Sequence, residues 1–139
     1  MELNNTQLRL VNCRIHYNCE NHFGQIKMLN DSYLLINNCE IICEGFNANA
    51  LITNEKQCQA KIFIQNSVLE NCMRFIDGSF DEIYMINCDL ENCFDGIIIG
   101  GPWNKKTHVE SCMIFENELA ECILKDQLLP NKNIIIIIK

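Results

Sequence analysis

Cysteines are the first residues in this chain whose type and spacing could do chemistry. The chain holds 10 of them, and the stretch MINCDLENCFDG, residues 85–96, places two Asn-Cys pairs five residues apart. Thiols this close together could bind a metal, form a redox pair or form disulfides. A zinc site needs tight pairs such as CxxC, and the sequence has none. The spacing therefore predicts structural cysteines, with no metal and no other cofactor.

Acidic and histidine side chains form the second set with chemical potential. The three histidines are scattered along the chain, so a nucleophile and base arrangement has weak support. The carboxylates are more numerous, and the chain carries a net charge of −7. Its single tryptophan, Trp103, lies in the loop-like stretch GGPWNKKT and is a second kind of candidate for binding.

Composition limits the class of protein to which these residues can belong. A chain of 139 residues with 48% hydrophobic and 21% charged residues is typical of one soluble globular domain. The N-terminal residues lack the features of a secretory signal, and the longest apolar run is five isoleucines, so we expect a cytoplasmic protein without a membrane span. The acidic charge and the lack of clustered Lys and Arg argue against direct binding of nucleic acid.

An internal repeat positions all of these residues. The pattern apolar, x, apolar, x, Asn, Cys, x, apolar recurs at residues 8–15, 34–41, 62–69, 83–90 and 107–114, and its first apolar position fails only at Thr107. Its cysteine position is occupied by Cys13, Cys39, Ser67, Cys88 and Cys112, at spacings of 26, 28, 21 and 24 residues. Asparagine precedes that position in all copies but the last, where the residue is Ser111.

The alternation within each copy has the period of a β-strand rather than a helix. A looser echo follows each copy, and glycines at 24, 45, 78 and 96 fall where the chain is expected to turn. Each period therefore predicts one coil of about three short strands, with equivalent residues stacked about 4.8 Å apart. We expect the apolar positions to fill a narrow tubular core, and the Asn and Cys positions to point inward at a corner as two ladders.

This pattern resembles the right-handed parallel β-helix of the pectate-lyase-like superfamily, with its asparagine ladder and its IxIxNCxIxNCxxGI signature. The resemblance covers residues 8–124 and rests mainly on the asparagine column. It implies an all-β, right-handed parallel β-helix of about five coils with an Asn/Cys ladder. The alternative is a leucine-rich repeat, whose consensus the same columns satisfy. Stretches such as GIIIGG, where that fold would need helical spacing, favour the β-helix.

The resemblance also implies polysaccharide lyases and hydrolases, in which clustered Asp and Glu bind calcium or act as acid and base. This chain departs from them, because it has only three arginines, no matching catalytic motif and few coils. We therefore expect a non-catalytic protein.

The chain is expected to form a single β-solenoid domain over residues 1–139. Its coils are expected over residues 8–124, and residues 125–139 should form a C-terminal capping turn and a final strand. That strand, NIIIIIK, presents isoleucines on both faces, so a homodimer through the C-terminal strand is one expectation. Covering of the same strand by residues 122–129 is the other.

The carboxylates give the functional hypothesis. Rows of negative charge on a rigid rod repel nucleic acids and attract proteins that bind them. Acidic pentapeptide-repeat inhibitors of topoisomerases, and the acidic inhibitors that phages direct at host defences, are analogous in shape and charge. We expect an acidic solenoid that binds a protein partner, by charge mimicry of nucleic acid. A structural module of a larger β-helix and a carbohydrate-active remnant remain open. The expected binding residues are Glu40, Glu70, Asp89, Glu91, Asp95 and Trp103.

Overall fold

A computed structural model describes residues 1–18, 26–44, 50–54, 59–71, 74–78, 80–91, 96–99, 106–115 and 135–136. These residues form 16 β-strands and no helix. The strands lie in three parallel sheets. Since no described segment is helical, none is a helix long and apolar enough to cross a membrane.

Strand pairing defines the three sheets. Sheet 1 contains β1 (Glu2–Asn4), β4 (Ile26–Leu29), β7 (Ala50–Thr53), β10 (Arg74–Asp77) and β13 (Gly96–Ile99). Sheet 2 contains β2 (Gln7–Val11), β5 (Tyr33–Asn37), β8 (Lys61–Gln65), β11 (Glu82–Ile86) and β14 (Lys106–Glu110). Sheet 3 contains β3 (Arg14–Asn18), β6 (Glu40–Glu44), β9 (Val68–Glu70), β12 (Asp89–Glu91), β15 (Met113–Phe115) and β16 (Ile135–Ile136).

The order of the strands shows how the chain winds. Three consecutive strands belong to sheets 1, 2 and 3 in turn, and each then pairs in parallel with the strand three places later. The described chain thus makes five coils of three strands, which confirms the predicted parallel β-solenoid. The leucine-rich repeat is not what forms, because a strand of sheet 3 follows each ladder position where that fold needs a helix. The right-handed sense of winding stays a prediction.

The predicted apolar columns are confirmed by the register of the sheets. Leu10, Ile36, Ile64 and Met85 are Cα partners on successive strands of sheet 2. The last three of these are at most 1% exposed. In sheet 3 the corresponding column runs Ile15, Ile41, Leu69 and Leu90, and Ile114 extends it. The core is therefore a narrow tube, which is filled by vertical columns of apolar side chains from the surrounding sheets.

The asparagine column is stacked as predicted, but its predicted inward direction is wrong. Asn38 donates from Nδ2 to Asn12 Oδ1 at 2.6 Å, and Asn87 donates to Asn66 Oδ1 at 2.8 Å. Asn66 donates to Asn37 rather than to Asn38, at 3.2 Å. The side chains of the column are exposed at the corner between sheets 2 and 3.

Backbone conformation explains why these positions select asparagine. The four residues Asn12, Asn38, Asn66 and Asn87 have φ between 51° and 57°, and Ser111 has φ of 53°. This is the left-handed region, which Asn tolerates better than other residues with a Cβ because its short amide bonds locally. The repeat therefore uses asparagine to turn the chain, and the vertical amide bonds follow from that.

Substitution of Asn87 tests this explanation. Leucine at this position is expected to lower the free energy of unfolding by about 1–2 kcal/mol, because a γ-branched residue is strained at positive φ. Glycine there loses the same amide bond to Asn66 but relieves the backbone, so it should change the stability by less than about 0.5 kcal/mol. Urea denaturation of both variants makes the measurement. Equal destabilisation by Leu and Gly would show that the amide bond, rather than the backbone, matters here.

The remaining turn predictions have mixed outcomes. Gly78 lies at a turn with φ of 148°, as expected. Gly96 does not, since it is the first residue of strand β13. Positions 24 and 45 lie outside the described residues. At the C-terminal side, Ile135 and Ile136 pair with Met113 and Ile114, while residues 116–134 are not described, so the expected capping turn and the homodimer through the last strand stay predictions.

Candidate functional site

The outer face of sheet 3 carries most of the predicted binding residues. In β9 and β12 the inward positions are Leu69 and Leu90, both 0% exposed. Because side chains alternate along a strand, Glu70, Asp89 and Glu91 point to the other side, where they are partly exposed. These three carboxylates on two adjacent strands are called the acidic patch.

Like charges face each other directly within the acidic patch. Glu70 and Glu91 are Cα partners in the parallel pair of β9 and β12. Residues in register on neighbouring strands are about 5 Å apart, and like charges at that position destabilise a sheet. Asp89, which is partnered by Val68 in the same pair, adds a third carboxylate one pleat away. The patch therefore concentrates three carboxylates on one partly exposed face of sheet 3.

Glu40 lies on the same face but is separated from the patch. It is partnered by Val68 on β9, so an apolar residue stands between it and Asp89. Its carboxylate accepts from Arg14 Nε at 2.7 Å. Among the described residues of this face, the carboxylates thus form one compact patch and one ion pair with Arg14. The other two predicted binding residues, Asp95 and Trp103, lie outside the described residues, and their role stays a prediction.

Sheet 2 carries a second outward feature, a ladder of aromatic rings, that was not among the predicted binding residues. The rings of Phe63 and Tyr84 stack with centroids 4.7 Å apart and an angle of 8° between planes. Tyr33 extends this stack at 5.3 Å from Phe63, and His108 extends it at 5.9 Å from Tyr84. The sequence held a signal for it, because Leu35, Phe63, Tyr84 and His108 occupy the same variable position between the two apolar positions of the repeat.

The charges next to this aromatic ladder are paired with one another. Lys61 Nζ lies 3.1 Å from Glu82 Oε1, and His108 Nε2 lies 2.9 Å from Glu110 Oε2. The hydrogen bond and charge of Glu82 raise the pKa of Lys61 above its ordinary value. The stacked rings and the two hydrogen-bonded pairs therefore stabilise this face of sheet 2.

The cysteine column points inward, as predicted, and its thiols form hydrogen bonds that stabilise the turn. The thiols of Cys39, Cys88 and Cys112 each donate to the carbonyl two residues earlier, at 3.3 to 3.4 Å. Ser67 makes the same bond from its hydroxyl at 2.8 Å, which explains why serine replaces cysteine in this copy. The hydrogen bond with Cys112 and burial raise the pKa of the Cys88 thiol, so it is protonated at neutral pH and a poor nucleophile.

One described cysteine takes part in a disulfide. Cys13, Cys39, Cys88 and Cys112 are free. Cys43, near the end of β6, is disulfide-bonded, and its partner lies outside the described residues. The described thiols of the ladder position are thus free, whereas the disulfide-bonded Cys43 lies at a different position of its coil, in register with Tyr17.

An open groove follows the corner between sheets 2 and 3 over the first three coils. Its volume is about 450 Å³, and its lining includes Asn12, Arg14, Asn38, Glu40 and Asn66. Asn38 donates to Asn12, Asn66 donates to Asn37 and accepts from Asn87, and Arg14 donates to Glu40. The polar groups of the groove are therefore largely satisfied within the chain, and the acidic patch remains the stronger candidate.

Comparison of the chain with protein-family models, with curated proteins and with solved structures finds no match.

Proposed function

We propose that this chain is a non-catalytic acidic β-solenoid that binds a protein partner through the acidic patch on sheet 3. The observation that carries the proposal is the register of Glu70 with Glu91. This register brings Glu70, Asp89 and Glu91 together on one partly exposed outward face. A cationic partner surface complements that concentration of carboxylates when it binds.

Charge complementarity suggests the class of partner. The net charge of −7 and the compact patch favour a protein with a basic surface. Proteins that handle nucleic acids carry such surfaces, because they must displace counterions from phosphates. We propose inhibition of such a protein by charge mimicry, in which the solenoid occupies the surface that nucleic acid would contact. The relation to the pectate-lyase-like superfamily is likewise a proposal, at the level of the fold alone.

Two double variants with the same charge test the proposal. The patch variant is Glu70→Gln with Asp89→Asn, and the control is Asp31→Asn with Glu110→Gln, which removes two carboxylates from the turn that follows β4 and from β14. Each variant lowers the negative charge by two. Affinity purification from the native cell at about 0.1 M and about 1 M salt identifies partners whose capture depends on charge, since the Debye length falls from about 10 Å to about 3 Å.

The patch variant is expected to bind the partner more weakly but to be slightly more stable than the unmodified chain. The patch variant should bind the captured partner at least about fivefold more weakly, while the control should bind as the unmodified chain does. The patch variant should also unfold at slightly higher urea concentration, because a repulsive pair has been removed. Double-stranded DNA should compete with the solenoid for the partner. Equal loss of binding in both variants would mean that net charge, and not the patch, attracts the partner.

A further inference from the structure

The coil formed by β1, β2 and β3 covers the core less completely than the coils behind it. Leu8 and Leu10 of β2 are partly exposed, whereas their register partners Leu34 and Ile36 are 0% exposed. Ile15 of β3 is also partly exposed, while its partner Ile41 is 2% exposed. The same apolar columns that are sealed in the middle of the tube are therefore accessible at this end.

The backbone of this coil is also paired on one side only. Within the described chain, β1, β2 and β3 are each the outermost strand of their sheets. Thr6 O and Asn12 N bond toward β5, so alternation along the strand directs the N–H groups of Gln7, Arg9 and Val11 toward the open edge. Val11 is 44% exposed, although it is apolar. An edge of this length without a bulge or a proline favours pairing with another strand.

The outline of the end restricts what can pair with it. Three strand edges stand on three sides of one tube, so a single added strand satisfies only one of them. An object with the same three-sided outline satisfies all three at once, and a second copy of the coil has that outline. We propose that two copies of this chain associate end to end through β1, β2 and β3, related by a two-fold axis perpendicular to the solenoid. This inference does not rest on the proposed function.

Charge selects one orientation of the two copies. A two-fold rotation pairs one strand of the coil with the same strand of the second copy. Each of the other two strands then pairs with the counterpart of the other. Arg14 of β3 is already paired with Glu40, so β3 can lie on β3 without an uncompensated cation. This rotation places β1 against β2, which brings Glu2 of each copy to Arg9 of the other. Laying β1 on itself would instead place Glu2 opposite Asn4 and Arg9 opposite β3, which has no carboxylate, and laying β2 on itself would oppose Arg9 with Arg9.

Sedimentation velocity of the whole chain over a concentration series tests the proposal. The expected species are a monomer and a dimer, because a two-fold contact closes on itself, whereas head-to-tail stacking would give longer polymers. Arg9→Glu and Glu2→Arg should each weaken the dimer about tenfold, since each breaks two ion pairs, and the double variant Glu2→Arg/Arg9→Glu should restore it. Both residues are exposed, so the variants should fold, which circular dichroism and a thermal melt verify.

A backbone variant tests the strand edge independently of charge. Arg9→Pro removes an N–H that faces the open edge and leaves the bonds toward β5 in place, which is where sheets tolerate proline. It should abolish the dimer while the melt shows a folded protein, and Arg9→Lys should leave the dimer unchanged. A monomer at every concentration, species larger than a dimer, or a dimer that neither Arg9→Glu nor Arg9→Pro weakens would overturn the proposal.

Discussion

Replacement of Gly78 by alanine is expected to destabilise the solenoid by about 2–4 kcal/mol. The residue has φ of 148°, a conformation that side chains rarely adopt, and this strain alone accounts for about 1–3 kcal/mol. An added Cβ would also overlap Asn54 Oδ1 and lie 2.8 Å from Asn54 Cγ. Because Asn54 belongs to the coil below, the clash would separate two coils rather than disturb one turn. Urea denaturation followed by circular dichroism measures the change.

The two causes can be separated with Asn54. Asn54→Ala removes the side chain that the new Cβ would meet and leaves the backbone of Gly78 unchanged. In the Gly78→Ala background it should therefore restore part of the lost stability, while the backbone strain persists. On its own it should be destabilising, since the Asn54 side chain packs against the turn. Additive effects of the two substitutions would show that the clash contributes nothing and that backbone strain explains the whole loss.

Truncation of a core leucine is the second change with a large expected effect. Leu34→Ala should lower the free energy of unfolding by about 3–5 kcal/mol, because the residue is 0% exposed and has a neighbouring coil on each side. Leu8→Ala removes the same atoms from the register partner in the adjacent coil. Leu8 is only partly buried, so its truncation should destabilise the chain by about 1–2 kcal/mol.

This pair of variants is matched in residue type, sheet and column. Thermal and urea unfolding of both measure the difference between them. If Leu8→Ala lowers the free energy of unfolding as much as Leu34→Ala does, there are two explanations. Either Leu8 is as well buried as Leu34 within one chain, or the association of two copies through β1, β2 and β3 buries it. Dilution separates these explanations, since only the second depends on protein concentration.

Much of the fold could be predicted because burial imposes a period on the sequence. A strand buried on one side alternates, and the alternation at residues 8–15 recurs in four further copies, so the columns and the number of coils follow. The direction of the asparagines could not be predicted in the same way. A polar residue at a fixed position is consistent with an inward ladder and with a left-handed turn, and only the backbone conformation separates them.

The candidate site was predicted in part. Alternation along a strand places Glu70, Asp89 and Glu91 outward, so their exposure follows from the sequence. The ion pair of Arg14 with Glu40 could not be predicted, because a contact between neighbouring coils depends on the exact register of their strands. The aromatic ladder was not predicted, because the repeat position of Phe63, Tyr84 and His108 varies from Arg to His. Tyr33 stands outside that position, so its place in the stack becomes evident only when the coils are stacked.

The direction of the hydrogen bonds in this fold has a mechanical consequence. Every strand lies across the axis of the tube, so the ladders between β2, β5, β8, β11 and β14 run along it. Tension applied to the two ends is therefore carried by the coils in series, and each coil is held by only its two neighbours. Under load such a rod peels open one winding at a time from an end, whereas compression presses its windings together.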